Sequence, residues 1–334
     1  MASPKVFVTR TIQKEVLEAI SSASDVTSWD HPHPIPYQKL VDACANVNGI
    51  YAQTSDQIDK NLIQQCPFLK VISIVGTGVN NVDISQASNQ GVSVGNTPGV
   101  TSKSTADMAV GLLLASARRI VEADKWVHAG NWKHDLTPLG FLSQEVNGSV
   151  AGIIGLGQIG LEFAKRLRSF DVEVVYFSRT RKPQAEHDFG LTWVSTLQQL
   201  LNISDFVSIH VPLTPDTEGM IGQREFNLMK QSAILVNTSR GQVVDQQSLY
   251  QALKNNRISG AALDVTSLEP IPQDDPLLEL KNVVISPHIG TATHKTRLTM
   301  AIIAKDNLIS GLNKRPLPHC VNPEVYSQWT HQSL

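Results

Sequence analysis

Residues 150–160 read Val-Ala-Gly-Ile-Ile-Gly-Leu-Gly-Gln-Ile-Gly, an apolar run that leads into three glycines at G-x-G-x-x-G spacing. A strand ending at Ile154 would deliver Gly155 to a tight turn, let Gly157 approach a pyrophosphate and let Gly160 pack a helix against a sheet. The N-terminus of that helix would receive the phosphate charge. Residues 161–170 continue at helical spacing, and 172–177 form a second apolar run. The stretch therefore predicts a complete βαβ unit that binds a dinucleotide.

The loop after the second strand distinguishes the two nicotinamide dinucleotides. An acidic side chain there would accept hydrogen bonds from a ribose 2′-hydroxyl and repel a 2′-phosphate. This chain instead has Ser178, Arg179, Thr180, Arg181 and Lys182, a hydroxyl followed by three cations within four residues. Such a group suits a dianionic phosphate through charge-assisted hydrogen bonds. We therefore expect NADP(H) to be preferred, with NAD(H) as a possible second cofactor.

Composition limits the class of protein. The chain has 334 residues, 41% of them hydrophobic, and a formal net charge of -2. There is no basic face for nucleic acid and no apolar run of the roughly 18 residues that a membrane span needs. Its cysteines, Cys44, Cys66 and Cys320, are odd in number and lack metal-ligand spacing, and residues 5–8 look like a strand and not a signal peptide. We expect a cytoplasmic protein that binds no metal, membrane or nucleic acid.

The pattern of apolar segments predicts an α/β protein with two domains. Short strands over 6–9, 49–53, 71–75 and 92–95, with helices over 14–21 and 37–45, make a first unit. After a break at 97–99, a long helix is expected over 102–120, followed by the βαβ unit and strands at 206–211, 233–237, 260–265 and 283–286. We predict two Rossmann or flavodoxin-like doubly wound parallel sheets with the active site in the cleft between them. Residues 1–98 with 293–334 would bind substrate, and residues 99–292 the dinucleotide.

Three isolated polar residues, Arg240, Glu269 and His288, follow predicted strands of the second domain. Open parallel sheets place their ligand sites at those strand ends. The planar cation of Arg240 can hold a carboxylate, and the imidazole of His288 can exchange a proton near neutral pH. Glu269 can orient that ring and stabilise its protonated form. Each also has a structural interpretation: Arg240 as an ion-pair partner, His288 as a loop histidine and Glu269 as a surface acid.

With these residues in these positions, the chain resembles the D-2-hydroxyacid dehydrogenases, and within them the glyoxylate/hydroxypyruvate reductase branch. The resemblance runs almost from end to end. It is carried by the segments Gly155–Gly160, Val236–Gly241, Leu263–Pro270 and Pro287–Arg297. It implies that Arg240 binds the substrate carboxylate and polarises its carbonyl, that His288 is the general acid in reduction, and that Glu269 is the partner of His288.

The resemblance also implies the residues that contact ligands. Gln53 and Thr54 would line the substrate pocket. The backbone N–H groups of Thr77 and Gly78 would bind the substrate carboxylate. Asp264 would lie near the nicotinamide amide, and the rest of the cofactor would contact Thr105, Gly155, Leu156, Gly157, Gln158, Ile159, Gly160, Ser178, Arg179, Thr180, Arg181, Pro212, Thr217, Thr238, Ser239 and Gly290. Family members often have Asp where this chain has Asn80. The expected reaction is NADPH-dependent reduction of hydroxypyruvate to D-glycerate and of glyoxylate to glycolate.

Two alternatives stay open. One is another 2-oxoacid reductase of the same family, such as a 2-ketogluconate enzyme. A phosphoglycerate enzyme is disfavoured because the loops at 51–55 and 75–81 contain no Lys or Arg, and a formate-type enzyme because it would carry an amide near Glu269. The other alternative is a nucleotide-sensing binding protein like the corepressors that share this fold. In this family the region of the predicted helix over 102–120 helps to form a dimer, so a homodimer is expected.

Overall fold

The computed structural model describes residues 3–31 and 33–331, and it divides into two compact units. The first comprises Met1–Thr101 with Thr293–Leu334, and the second Ser102–Ala292. The strands are β1 Lys5–Val8, β2 Asp25–Ser28, β3 Gly49–Gln53, β4 Val71–Val75, β5 Ser93–Gly95, β6 Val150–Ile154, β7 Glu173–Phe177, β8 Thr192–Trp193, β9 Phe206–Ile209, β10 Ile234–Asn237, β11 Gly260–Leu263 and β12 Val283–Ile285. The helices are α1 Lys14–Ala23, α2 Tyr37–Cys44, α3 Lys60–Gln64, α4 Ile84–Asn89, α5 Ser102–Ala117, α6 Ile120–His128, α7 Gln158–Leu167, α8 Pro183–Phe189, α9 Leu197–Ile203, α10 Gln223–Phe226, α11 Gln246–Lys254, α12 His294–Leu312 and α13 Tyr326–His331.

The first unit is built on a five-stranded sheet in the order β2-β1-β3-β4-β5. Every pairing in it is parallel. The strand order reverses between β1 and β3, so the loops after these two strands meet at a topological switch point. Helix α12 packs against β4 and β3, and its buried Met300, Ala304 and Leu308 join the core below the sheet.

The second unit is built on a seven-stranded parallel sheet in the order β12-β11-β10-β9-β6-β7-β8. Its switch point lies between β6 and β9, where the loop of residues 155–157 follows the first strand of the βαβ unit. The central strands β6, β9, β10 and β11 are buried almost throughout, because helices cover both faces of the sheet. The prediction of two doubly wound parallel-sheet domains is confirmed.

The predicted long helix over 102–120 is wrong in one respect. Helix α5 ends at Ala117, and Arg119 has φ +53°, a left-handed conformation that cannot continue a right-handed helix. The Arg119 side chain binds both carboxylate oxygens of Glu122, at 2.8 and 2.9 Å, in the first turn of α6. Leu112 and Leu113 of α5 are both buried in the core of the second unit.

Two further features bear on the class of protein. Within residues 3–31 and 33–331, no helix combines the length and apolar character that crossing a bilayer requires. The three cysteines are unpaired, with Cys44 and Cys66 buried in the first unit.

Candidate active site

The glycine-rich turn after β6 has the tight geometry that its sequence predicts. Gly155 has φ +94°, and a Cβ on it would lie 2.7 Å from Val211 Cγ1. A Cβ on Gly160 would lie 2.3 Å from the carbonyl oxygen of Gly155, so the first turn of α7 packs directly on the strand. A Cβ on Gly157 would meet nothing within 4 Å. The turn is therefore closed on its protein side and open where a pyrophosphate would approach.

The rest of this switch point also fits a dinucleotide. Gly157 is the N-cap of α7, and its carbonyl accepts the N–H of Leu161, so Gln158, Ile159 and Gly160 occupy the first turn, where amide groups are free of intrahelical partners. Gln158 Oε1 accepts a hydrogen bond from Ser102 at 3.2 Å. Leu156 is buried at the base of the turn. These groups suit a phosphate anion held by backbone amides.

The region around β10 and β11 has a polar atom that the protein leaves unbonded. Thr238 follows β10 and is buried, yet its Oγ1 has no hydrogen-bond partner among the described residues. The neighbouring Ser239 is held by Asn237, whose Oδ1 accepts both the N–H and the hydroxyl of Ser239 at 2.9 Å. A buried hydroxyl without a partner is costly, and a ligand amide would satisfy it.

Asp264, Gly290 and Thr105 lie together. The Asp264 carboxylate accepts hydrogen bonds from the hydroxyl of Ser286 at 2.6 Å and from the N–H groups of Ile289 and Gly290 at 2.9 and 2.7 Å. A Cβ on Gly290 would lie 3.5 Å from Thr105 Cγ2. Asp264 therefore holds the side chain of Ser286 before His288 and the backbone of Ile289 and Gly290 after it, which the strand pattern does not reveal.

The remaining predicted cofactor residues lie in two loops. Pro212 and Thr217 belong to one turn, in which the Thr217 hydroxyl donates to the carbonyl of Pro212 at 2.6 Å. The basic loop after β7 is exposed, and the Ser178 hydroxyl donates to the carbonyl of Thr180 at 2.7 Å.

The two arginines of that loop differ. Arg181 forms a bidentate ion pair with Glu186, with bonds of 2.7 to 3.1 Å, and lies over the ring of Trp193. The hydrogen bond and charge of Glu186 raise the pKa of Arg181 above its ordinary value. Arg179 is exposed and forms no hydrogen bond or ion pair with any residue that the structure describes. The sequence could not separate them, because Glu186 lies on the next helix.

His288 and Glu269 meet as the sequence predicts. His288 Nδ1 lies 2.7 Å from Glu269 Oε2, and both side chains are about two-fifths exposed, so a substrate can reach the ring. His288 has φ +55°, an uncommon conformation for a residue with a side chain. The backbone is held there by the bond from His288 N–H to the carbonyl of Asp264 at 2.9 Å. A strained backbone fixed by its surroundings is typical of a functional position.

The groups around Glu269, namely His288, Thr266 and Arg240, keep its carboxylate ionised. Burial alone would raise its pKa, but the hydrogen bond and charge of His288, the N–H of Thr266 and the charge of Arg240 lower the pKa below its ordinary value. Burial lowers the pKa of Arg240, while Glu269 opposes that shift. Arginine stays charged nonetheless, so the cluster presents a cation beside a carboxylate and an imidazole.

A second histidine of the same unit does not fit an acid–base role. His210 follows β9, its Nε2 lies 2.9 Å from the hydroxyl of Ser208, and its ring packs on Phe163. Burial lowers the pKa of His210 to about 3, so the ring is neutral at physiological pH. Of these two histidines that follow strands of the second unit, His288 is the one whose ring is accessible to a ligand.

In the first unit, the loops predicted to bind substrate follow β3 and β4. Gln53 is the last residue of β3, and Thr54, which follows it, is exposed. A Cβ on Gly76 would lie 2.2 Å from the methyl carbon of Thr54. The Thr77 hydroxyl donates to the carbonyl of Thr97 at 3.3 Å. The N–H groups of Thr77 and Gly78 donate to no group in residues 3–31 and 33–331. Adjacent free amides suit a carboxylate.

A buried carboxylate near these loops was not predicted. Asp56 accepts hydrogen bonds from the Gln53 N–H at 2.8 Å and from the Thr9 hydroxyl, and it pairs with Arg10 at 3.0 Å. The local sequence gives no signal for this, because Thr9 and Arg10 reach Asp56 across more than forty residues. The guanidinium of Arg10 also lies 3.4 Å from the hydroxyl of Ser55, in a loop that has no Lys or Arg of its own. The ion pair with Asp56 neutralises the charge of Arg10.

Comparison with known proteins agrees with this arrangement. Residues 110–290 match the model of the D-isomer specific 2-hydroxyacid dehydrogenase NAD binding domain. The chain is 44% identical over 325 residues to a glyoxylate reductase of Thermococcus litoralis, covering 96% of this chain and 98% of the relative. It is 42% identical to the glyoxylate reductase/hydroxypyruvate reductase of Homo sapiens, covering 94% and 96%.

A solved structure is also similar over nearly the whole length. The NADPH-dependent glyoxylate/hydroxypyruvate reductase of Sinorhizobium meliloti, in complex with NADP and malonate, superposes with a TM-score of 0.83 at 30% identity, covering 96% of this chain and 98% of that one. Because the family model spans more than half of the chain and relatives match it almost end to end, the protein belongs to the D-isomer specific 2-hydroxyacid dehydrogenase family and is a nicotinamide-dependent dehydrogenase.

Proposed function

We propose that this protein reduces small 2-oxoacids, with hydroxypyruvate and glyoxylate as substrates and NADPH as the preferred reductant. The observation that carries the proposal is the 2.7 Å contact between His288 and Glu269, with Arg240 charged nearby. Similarity to curated glyoxylate reductases supports the substrate class.

The proton chemistry follows from the residues of the second unit. Arg240 binds the carboxylate of the oxoacid and stabilises the negative charge that grows on the carbonyl oxygen. The protonated ring of His288 donates its proton to that oxygen, and Glu269 stabilises the ring while it is charged. The nicotinamide cofactor, when bound, supplies the hydride that reduces the carbonyl carbon. His288 is then neutral and regains a proton from water.

In the first unit, we assign binding of the substrate carboxylate to the free N–H groups of Thr77 and Gly78. Gln53 and Thr54 would contact the short side chain of the oxoacid. We also assign substrate binding to residues 1–98 with 293–334, and dinucleotide binding to 99–292. Selective loss of oxoacid affinity in Thr54→Trp, with NADPH affinity unchanged, would support this division of roles.

The preference for NADPH rests on Ser178 and Arg179. Arg179 is exposed and forms no hydrogen bond or ion pair with a described residue, whereas Arg181 is occupied by Glu186. A 2′-phosphate would gain a charge-assisted bond from Arg179 that the 2′-hydroxyl of NADH cannot match. The similarity to the NADPH-dependent reductase of Sinorhizobium meliloti supports this preference.

We also propose a homodimer and a reducing, cytoplasmic compartment. The second unit exposes large apolar side chains on α6 and the loop that follows it, namely Ile120, Val127, Trp132, Leu136, Leu139 and Leu142. Such a cluster is typical of a protein interface. The contact expected in the region of residues 102–120 stays a prediction, and most apolar residues of α5 are buried in their own unit.

The test is the oxidation of NADPH and NADH, followed at 340 nm, with hydroxypyruvate, glyoxylate, 2-ketogluconate and pyruvate in parallel. The proposal expects the first two acids to react fastest with NADPH. Faster reaction with 2-ketogluconate would transfer the assignment to that branch of the family. Peptide capture without turnover of any acid would indicate a corepressor-like binding protein.

A further inference from the structure

The loop that carries Glu269 is held by two glutamine side chains. Gln246 Oε1 accepts both the N–H and the hydroxyl of Ser267, each at 2.9 Å. Gln242 Nε2 donates to the carbonyl of the same serine at 2.9 Å. Every polar group of Ser267 is therefore bonded to a glutamine amide, from helix α11 on one side and from the turn after Arg240 on the other.

Gln246 is itself fixed at its second amide atom. Its Nε2 donates to Asp275 Oδ2 at 2.6 Å, and the other oxygen of Asp275 accepts the N–H of Leu277 at 2.9 Å. An amide can accept on one side and donate on the other, which neither a carboxylate nor an ammonium group can do. Gln246 thus joins the start of α11, the Glu269 loop and the short helix Pro276–Glu279.

The position of Ser267 sets the position of Glu269. The N–H of Thr266 donates to Glu269 Oε1 at 3.2 Å, and the Thr266 hydroxyl closes the loop by donating to the carbonyl of Leu268 at 2.6 Å. The other oxygen of Glu269 meets His288. The loop backbone also lies against Gly241, where a Cβ would fall 2.0 Å from the carbonyl of Thr266. A shift of this loop therefore moves the carboxylate relative to the imidazole.

We propose that Gln246 is a positioning residue of the reaction, which acts through Ser267 to hold the Glu269 carboxylate against His288. The inference rests on the proposed function for its catalytic meaning, but its structural part can be tested without turnover. The other charged groups of this unit at the pair are Arg240, whose charge acts on Glu269, and Asp264, which binds the backbone around His288. Neither forms a hydrogen bond or ion pair with Gln246.

The experiment follows the titration of the His288 ring by NMR in the full-length chain labelled with ¹⁵N-histidine. The signal is assigned by its loss in His288→Ala. The variants are Gln246→Ala, Gln246→Glu, and the double variant Gln246→Glu with Asp275→Asn. The double variant exchanges donor and acceptor across the 2.6 Å contact at constant net charge, and it keeps the acceptor for Ser267. Gln90→Ala is the matched control, because the Gln90 amide joins two carbonyls of the first unit, those of Ile63 and Cys66.

We expect the ring in Gln246→Ala to lose its proton at lower pH than in the wild type, and kcat for oxoacid reduction to fall about tenfold. NADPH affinity should not change. Gln246→Glu places two carboxylates in contact and should also lose activity, whereas the double variant should recover the wild-type titration and most of kcat. Gln90→Ala should lower Tm without moving the titration.

An unchanged His288 titration in Gln246→Ala, or no recovery in the double variant, would overturn the inference. If Gln246→Ala fails to fold, the comparison of the single and double Glu variants decides. If the wild type reduces no oxoacid, the proposed function fails, and the NMR comparison still decides whether Gln246 positions the Glu269–His288 pair.

Discussion

His288 Nδ1 lies 2.7 Å from Glu269 Oε2, although the two residues are separated by 19 positions and belong to different loops of the second unit. The loops meet because β11 and β12 are adjacent parallel strands whose carboxyl ends share one edge of the sheet. A ring nitrogen bound to a carboxylate leaves the opposite nitrogen free to carry a proton to a ligand. The pairing of β11 with β12 thus brings together the two side chains that the proposed proton transfer uses.

Replacement of His288 by Ala removes the proposed proton donor. We expect kcat for oxoacid reduction to fall by about 10² to 10⁴, with the dissociation constant of NADPH unchanged because His288 lies outside the glycine-rich turn. Steady-state kinetics and quenching of protein fluorescence by NADPH measure the two quantities. His210→Asn is the matched control, since a buried neutral ring should affect stability more than rate. Wild-type turnover in His288→Ala would remove the residue from the mechanism.

Replacement of Glu269 by Gln removes a charge but keeps the shape. The pKa of Glu269 lies below its ordinary value, so the carboxylate is ionised throughout the neutral range. In the proposed mechanism the protonated ring of His288 donates the proton, and the charge of Glu269 stabilises that ring. Without the negative charge, kcat at neutral pH should drop about tenfold or more. A wild-type kcat in Glu269→Gln would contradict the pairing.

Replacement of Arg179 by Ala tests the proposed preference for NADPH and its proposed source. We expect the ratio of kcat/KM for NADPH over NADH to fall about tenfold. That change corresponds to the free energy of about one charge-assisted hydrogen bond. Arg181→Ala is the control, because Arg181 is held by Glu186 and lies over Trp193. It should lower thermal stability and change the ratio less. The reverse order of effects would assign the phosphate to Arg181.

Replacement of Asp56 by Ala should destabilise the first unit. The change leaves the largely buried Arg10 without its carboxylate and the Gln53 N–H without its acceptor. We expect a loss of about 2 kcal/mol in the free energy of unfolding and a raised KM for the oxoacid, because Gln53 and Thr54 lose their support. Denaturant unfolding and steady-state kinetics measure both. Asp42→Ala, on the exposed side of α2, should change neither. Unchanged stability in Asp56→Ala would show that the network does not brace the loop.

Replacement of Leu139 by Glu tests the proposed dimer. Leu139 is 79% exposed in the described structure, so a charge there costs nothing within one chain. If the apolar surface of α6 and its loop joins two copies, the variant should shift toward monomer. Light scattering at micromolar concentration measures the mass. A wild-type protein that is already monomeric at that concentration would contradict the dimer.

Much of this fold could be predicted from local sequence. Parallel strands buried on both faces appear as short apolar runs, and the observed bounds of β3 and β4 agree with those predicted. The break at Arg119 was missed, because an arginine in the left-handed conformation has no sequence signal comparable to that of glycine.

Those residues of the candidate site that lie near the end of a strand could be predicted from the sequence, because that position alone indicates a ligand site. Arg240 and His288 lie shortly after the ends of β10 and β12, and the structure places Glu269 against His288. The supporting residues were not predictable. Asp56, Asn237 and Gln246 act through hydrogen bonds to particular backbone and side-chain atoms, and in the cases of Asp56 and Gln246 some partners come from distant segments. An isolated buried polar residue in a sequence does not reveal which atom it bonds.

The most direct test of the account is NADPH oxidation at 340 nm with hydroxypyruvate and glyoxylate, in the wild type and in His288→Ala, with NADH in parallel. We expect rapid oxidation of NADPH by the wild type with both acids, slower oxidation of NADH, and a rate reduced by about 10² or more in the variant. Failure of the wild type to oxidise NADPH with either acid, or equal rates in the wild type and the variant, would contradict it.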